Sequence, residues 1–596
     1  MNTEKRTHLR TWGPTCNSAA WGTCVPAVLA AYLMVSTGSL ALAQTSTISP
    51  DLVGLPDGTR VDVIVQYYEP PTNSDDDAAA AVGLNRGKAL RLARGHHFNM
   101  SPAQAKQLAR LNSNIKYISP DRPVESTAAA DSSATLDYYP LTVNAQIGWG
   151  LGLDGTGIGV AVIDSGIIDI PDLHSNTGYR VVYNQDFTGG GSGDAYGHGS
   201  HVAGIVGGGG KNSTGSKYFY TFKGIAPNVN LINLRVLNQS GQGSDSMVIA
   251  AIDQAINLKA QYNIRVINLS LGRPVYESYT LDPLCQAVER AWKAGIVVVV
   301  AAGNQGRNNS ANTSGYGTIN APANDHYVIT VGALKTMGTS NRADDLVASY
   351  SSKGPTLYDH LVKPDLVAPG NRIISLYKAG IALATQYPGN EIPFSLYQTG
   401  GGSTASSTYY RLSGTSMAAP MVSGTAALML QQNPALTPDQ VKARLMKSAY
   451  KVFPPYSTAS DPTTGVSYTS QYDIFTVGAG YLDVQAALSN TDLAPATAGS
   501  ALSPQVAVNA NGSVYLVNSA SVIWGDSIVW GDSIVWGTSV ISGTNISGQS
   551  IIWGSSACWG ANTTQGYSVI WGDSIVWGTS NTTGGEATTI AINGEN

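Results

Sequence analysis

Three polar residues in this chain stand where chemistry could be done: Asp164, His198 and Ser416. Asp164 ends the apolar run IGVAVID (158–164), and an acid placed directly after a buried strand is expensive to bury without a partner. Taken alone, it also reads as a helix cap or turn residue. His198 lies in DAYGHGSHVAGIVGG (194–208) between Gly197 and Gly199, which let backbone approach closely. His201 follows one helical turn on and would form an H-x-x-H metal pair with His198, but no third ligand of suitable spacing stands nearby. Ser416 lies in YYRLSGTSMAAPMVSGTAALMLQQNP (409–434), at the start of a helix of small residues. Its hydroxyl is expected to face solvent among unsatisfied N–H groups at the positive end of the helix dipole, a setting that suits a developing oxyanion. A lone Gly-Thr-Ser would merit no more than an ordinary capped helix. Pro420 is expected in the first turn, where its missing N–H costs little.

Those residues need a frame. Residues from about 136 to 490 alternate unbroken apolar runs with helical patterns. IGVAVID, VNLINLRVL (229–237), IRVINLS (264–270), GIVVVVAAGN (295–304) and HYVITVGA (326–333) suit strands buried on both faces of a parallel sheet. SDSMVIAAIDQAINLKA (244–260) has helical periodicity between two of them. The alternation predicts an α/β domain with a doubly wound, mostly parallel sheet. Sites in such sheets form beyond the carboxyl ends of the strands, and Asp164, Ser270 and Asn304 fall at such ends.

Together these segments resemble the subtilisin-like (S8) serine proteases. The matching blocks are VAVIDSGI (160–167), GHGSHVAG (197–204), GIAP (224–227), INLSLG (267–272), AAGNQG (301–306), KPDLVAPG (363–370) and SGTSMAAP (413–420). The order Asp, His, Ser is that of subtilisin. Ser200 stands where the family commonly has Thr. The resemblance implies a serine endopeptidase working through an acyl-enzyme, with Ser416 as nucleophile and His198 as general base and then acid. Asp164 would orient the imidazole and stabilise its cation, and Asn304 would donate to the oxyanion with the Ser416 N–H. It also makes Ser270, Leu271 and Gly272, with Ala301, Ala302 and Gly303, the flanks of the primary specificity pocket. Their small uncharged side chains point to broad specificity with an apolar preference. No cofactor is required. The family often holds structural calcium, but GGGGKNSTGSKYFYTF (207–222) carries lysines and no acids, so that site is not carried over and calcium elsewhere is unsupported.

Flanking segments read differently. Residues 1–43 form a signal peptide: Lys5, Arg6 and Arg10, then the apolar run 25–43, ending in Ala41-Leu42-Ala43. An uncleaved anchor is the alternative. Residues 44–130 form a small α+β unit, with VDVIVQYY and IKYISPD (115–121) as strands and a helix started by Ser101, Pro102 and Gln104. It resembles the family's inhibitory propeptide, with autocleavage expected within about 125–135; a permanent N-terminal domain is the other reading. The catalytic domain spans 131–490 and a linker 491–520. Residues 521–596 repeat SIVWGD-like units every six residues, with seven of the chain's eleven tryptophans. A solenoid and a meander of hairpins both fit that β tail.

The 596 residues carry a formal net charge of −5, and no Lys or Arg follows Lys451, which argues against nucleic acid as partner. After signal cleavage no stretch is long enough to span a bilayer. The expected partners are protein or peptide substrates and the chain's own propeptide. The expected location is secreted or associated with the cell envelope, the latter through the tail. Cys285 and Cys558 read as free buried thiols rather than a disulfide. Two rivals remain: a non-catalytic adhesion protein on a protease scaffold, and the acid-working sedolisin group, which pairs its serine with Glu. The intact triad argues against the first and His198 in GHGSH against the second.

Overall fold

The structure, a computed structural model, describes residues 47–508 except 86, 127–128, 131–138, 177, 311–312 and 462–463. Backbone is also described at 514–516, 523–524, 527–528, 540–542 and 545–547. The leader 1–43, Cys558 and most of the repeat lie outside the described residues. Within the repeat, Ile523–Trp524 pairs antiparallel with Ser527–Ile528.

The first unit is a four-stranded antiparallel sheet. Its strands are β1 (Val61–Tyr67), β2 (Lys88–Leu90), β3 (Gly95–Met100) and β4 (Ile115–Pro120), in the order β2-β3-β1-β4. Helix α1 (Pro102–Leu111) begins with the expected reciprocal cap: the Gln104 N–H donates to Ser101 Oγ at 3.3 Å, and the Ser101 N–H to Gln104 Oε1 at 3.0 Å. Both faces of the sheet are covered. Val63, Val65 and Tyr67 pack with Ala105 and Leu108 in the unit's own core. Ile64, Leu90 and Leu92 point the other way and join the core of the larger unit. Polar contacts add to that junction: Arg91 pairs with Asp253 at 2.8 Å, and Lys116 Nζ donates to the Thr280 carbonyl at 3.1 Å.

A short strand, β5 (Pro123–Ser126), leads out of this unit. The larger unit is built on an eight-stranded sheet. Its strands are β6 (Gly159–Asp164), β7 (Val181–Asp186), β8 (Asn230–Arg235), β9 (Ile264–Leu269), β10 (Val297–Ala301), β11 (Ile329–Lys335), β12 (Leu346–Val347) and β13 (Leu366–Pro369). The order is β7-β8-β6-β9-β10-β11-β12, with β13 also on β11; all pairs are parallel except β11 with β12. Every residue of β6, β10 and β11 is buried, as the unbroken apolar runs require. Helices α2 (His198–Gly207) and α3 (Thr415–Gln432) pack against each other, and α3 lies across β9, β10 and β11. Ala494, Ala501 and Val506, within the stretch expected as linker, are buried in the main core.

Candidate active site

Strand β6 delivers Asp164 to the carboxyl edge of the sheet, and α2 starts with His198. Asp164 Oδ1 accepts from His198 Nδ1 at 2.7 Å and from the Ser165 N–H at 2.7 Å. Both side chains are buried, at 1% and 0% exposure, so this pair works in a low-dielectric setting. The flanking glycines are required by contact. A Cβ on Gly199 would run into the Gly166 carbonyl, and one on Gly197, at φ +106°, would strike Ile381.

Asp194, which sequence reasoning passed over, ties these pieces together. Its carboxylate accepts from Ser165 Oγ at 2.8 Å, from the Gly197 N–H at 2.6 Å and from the Ser200 N–H at 2.8 Å. Ser165 Oγ in turn accepts the Gly199 N–H at 2.8 Å. Full burial pushes the Asp194 carboxyl up, against the pull of those donors. The available signal was an acid inside the histidine motif. His201 is engaged elsewhere: its Nε2 donates to the Ile373 and Tyr410 carbonyls, both at 3.1 Å. Burial, then the neighbouring His198, pushes it down to about 3. Among the described residues no cluster of His, Cys, Asp and Glu is arranged to hold a metal.

Ser416 sits at the second position of α3, whose first residue is Thr415. Its hydroxyl donates to the Ser270 carbonyl at 3.0 Å. His198 Nε2 has no hydrogen-bond partner among the described residues. A hydroxyl is a free rotor, so donation to the Ser270 carbonyl leaves Ser416 Oγ able to turn to another acceptor. Two expectations need correction. Ser416 is fully buried rather than facing solvent. Pro420 lies beyond the first turn, and its missing N–H would have bonded the Ser416 carbonyl. Ser270 Oγ, 2.8 Å away, donates to that carbonyl instead and satisfies it.

Asn304 follows β10. Its Oδ1 accepts from the Thr415 N–H at 2.9 Å and from Thr415 Oγ1 at 3.0 Å, which orients the amide with its nitrogen as donor. Thr415 Oγ1 also accepts the Gly303 N–H at 3.1 Å. Thr415 is thus a positioning residue that motif reading missed, although it stands beside Ser416.

Leu271–Gly272 forms one edge of a cleft and Gln242–Ser244 the other. Strand β5 lies between them, antiparallel to both, with Gly272 opposite Glu125, Leu271 opposite Ser126 and Gly243 opposite Val124. On the far side, Ala129–Ala130 pairs with Ser413 and Leu412 of strand Ala405–Ser413. Ser270 and the Ala301–Gly303 segment are buried between this cleft and α3.

Comparison with known proteins agrees with this architecture. The family model described as the subtilase family, Peptidase S8, matches residues 155–518. The serine protease AprX of Bacillus subtilis is 38% identical over 363 residues, 59% of this chain and 73% of that protein. Subtilisin DY of Bacillus licheniformis is 36% identical over 338 residues, covering 56% and 92%. Fervidolysin of Fervidobacterium pennivorans, a keratinolytic enzyme related to subtilisin, shares the fold at a TM-score of 0.54 and 23% identity, over 79% of this chain and 68% of that one. The family match over residues 155–518 and this kinship lead to one statement: the chain belongs to the subtilase family and is a serine endopeptidase.

Proposed function

We propose that this chain is the precursor of an extracytoplasmic endopeptidase of broad, apolar-tolerant specificity, which cuts itself once and is held inactive until the N-terminal unit leaves. In this reading Ser416 attacks the scissile carbonyl while His198 takes its proton and later gives it to the leaving amine. Asp164 fixes the imidazole with Nδ1–H facing it and stabilises the cation. Asn304 Nδ2 and the Ser416 N–H receive the negative charge of the tetrahedral intermediate. No step calls for a metal or a cofactor. The leader 1–43 would direct export, and the tail from 521 would serve association with the envelope.

One observation supports the processing step above others: β5 is bound as an extended peptide across the site, the mode in which main-chain pairing holds a substrate. Ser126 pairs with Leu271, the neighbour of Ser270, and Ala129 pairs with Ser413, three residues before Ser416. Carrying the register on by one residue from Ser126 points to the Thr127–Ala128 bond, which falls inside the range expected from sequence. Residues 127–128 themselves lie outside the described residues. Val124, fully buried three residues ahead of Thr127, fits the apolar preference. The docked first unit then acts as the inhibitor.

The test is N-terminal sequencing of active protein secreted from the full-length gene, beside the Ser416→Ala variant. An Ala128 start in the first and an uncut chain in the second are expected. An active enzyme starting at Gln44 would overturn the propeptide reading.

A further inference from the structure

Ahead of the cleft, the backbone register continues: the Asp245 N–H donates to the Arg122 carbonyl at 2.9 Å, so Arg122 is fixed on the same track as β5. Its guanidinium is seated in a slot of the catalytic unit. Nη1 and Nη2 meet Glu277 Oε1 and Oε2 at 2.5 and 2.6 Å, a two-pronged ion pair with both side chains 3% exposed. The Tyr276 ring lies across the guanidinium, 4.8 Å from ring centre to carbon. Among the described residues of the N-terminal unit, Asp51 is the side chain that bonds Arg122, at 3.0 and 3.1 Å.

The charges left behind decide what this slot would take. Arg273, also buried, is committed to Asp245 and Asp282, each at 2.8 Å. Asp282 further caps the helix Pro283–Lys293. When residues up to 127 depart, Arg122 and Asp51 leave together. Three carboxylates, Asp245, Asp282 and Glu277, then face one resident cation, Arg273. Glu277 loses the partner it has here, in a slot still walled by Tyr276.

We propose that Glu277 and Tyr276 form a substrate subsite for an arginine side chain, five residues ahead of the residue whose carbonyl is attacked. The inference rests on the processing reading above, since only a departed N-terminal unit empties the slot. Arg122 of the precursor is its built-in occupant, and any substrate that pairs with Gln242–Ser244 in the same register offers its own side chain there. The planar fork of arginine matches the two Glu277 oxygens and stacks on Tyr276, so lysine is a poorer ligand. Because the contact is remote from the scissile bond and equal in ground and transition states, it acts on KM.

The experiment uses mature enzyme prepared from the full chain, its N-terminus sequenced first. Quenched fluorescent peptides of the sequence RPVESTAAAD, and versions with Lys, Ala or Glu at the first position, are compared by kcat/KM. Arginine is expected to exceed alanine by roughly 10- to 100-fold, the range for a charge-assisted hydrogen bond, with lysine between them and glutamate below. The gain should appear in KM and shrink at high salt. In the Glu277→Gln enzyme the arginine-to-alanine ratio should fall towards one. Mature enzyme starting at Ala128 that cleaves the Arg and Ala peptides within twofold overturns the subsite alone, and so does a ratio that survives Glu277→Gln. Active enzyme that keeps residues 47–126 overturns the processing reading and the subsite with it.

Discussion

The Asp164–His198 pair allows a quantitative test. Asp164→Asn keeps an oxygen where Oδ1 now accepts from His198 Nδ1 and from the Ser165 N–H, both at 2.7 Å. Oδ2, buried and without a hydrogen-bond partner among the described residues, is where the new amide nitrogen would sit. The geometry is retained and only the charge is lost. In the proposed mechanism that charge matters when His198 becomes a cation, in the transition state and not before. Two unit charges about 4 Å apart at an effective dielectric of about 20 interact by about 4 kcal/mol. Losing that term only at the barrier slows the chemical step by about 1000-fold, with KM little changed. Under the self-cleavage proposed above, the cleanest assay is the first-order rate at which refolded full-length chain would cut itself, because it needs no added substrate and no mature enzyme. Circular dichroism and melting of the Ser416→Ala precursor supply the folded reference. A loss of less than tenfold in a folded Asp164→Asn precursor would refute the electrostatic argument.

Further outcomes follow from other contacts. Thr415→Val removes the hydroxyl that donates to Asn304 Oδ1 and should lower kcat by about tenfold with KM unchanged, against about 100-fold or more for Asn304→Ala; equal losses would deny Thr415 its positioning role. Ending the chain at residue 490 should cost about 3 kcal/mol or more, because it strips Ala494, Ala501 and Val506 from the core and takes Ser503 Oγ from Asp365, 2.6 Å away. Ending it at 520 should leave the melting temperature near that of the full chain, and matched melts of the two truncations decide. His201 is held neutral in the fold, so the unfolded chain gains a proton first as pH falls through 6.5 and stability drops towards its folded value of about 3. At pH 4.5 that amounts to about 2–3 kcal/mol, read as the acid-side loss abolished in His201→Gln. Comparing variant with parent separates it from Asp325, which burial pushes up to about 8 and which acts in the opposite sense.

Much of this was legible in the sequence because the signals were local. Strand β6 reads as six buried residues ending in an acid, and the helix cap at Ser101 needs only residues three apart. The position of Asp164 at the carboxyl rim also followed from the parallel sheet, whereas its pairing with His198, which starts a helix, rested on the motif resemblance. The contacts that were missed are those that join distant segments through a single polar atom. Nothing around Thr415 announces that it orients Asn304, 111 positions earlier. The misplacement of Pro420 had a similar cause, because the group that answers the freed carbonyl belongs to Ser270, far away in sequence. The stretch after 490 looked like a linker because its few buried hydrophobic residues, Ala494, Ala501 and Val506, are small and spaced without a regular period. The junction between the N-terminal unit and the body was equally silent, since Ile64 faces it from within a strand whose neighbours face inward.

The two bonds between Ser270 and Ser416 have a mechanical consequence. One runs from hydroxyl to carbonyl in each direction, so Ser416, the proposed nucleophile, is tethered to the strand edge that pairs with β5. A bound chain that tugs on Leu271 or Gly272 drags its own attacker along with it. The gap that the reaction must close is thereby insulated from distortion of the cleft, and one catalytic distance can serve peptides of many shapes.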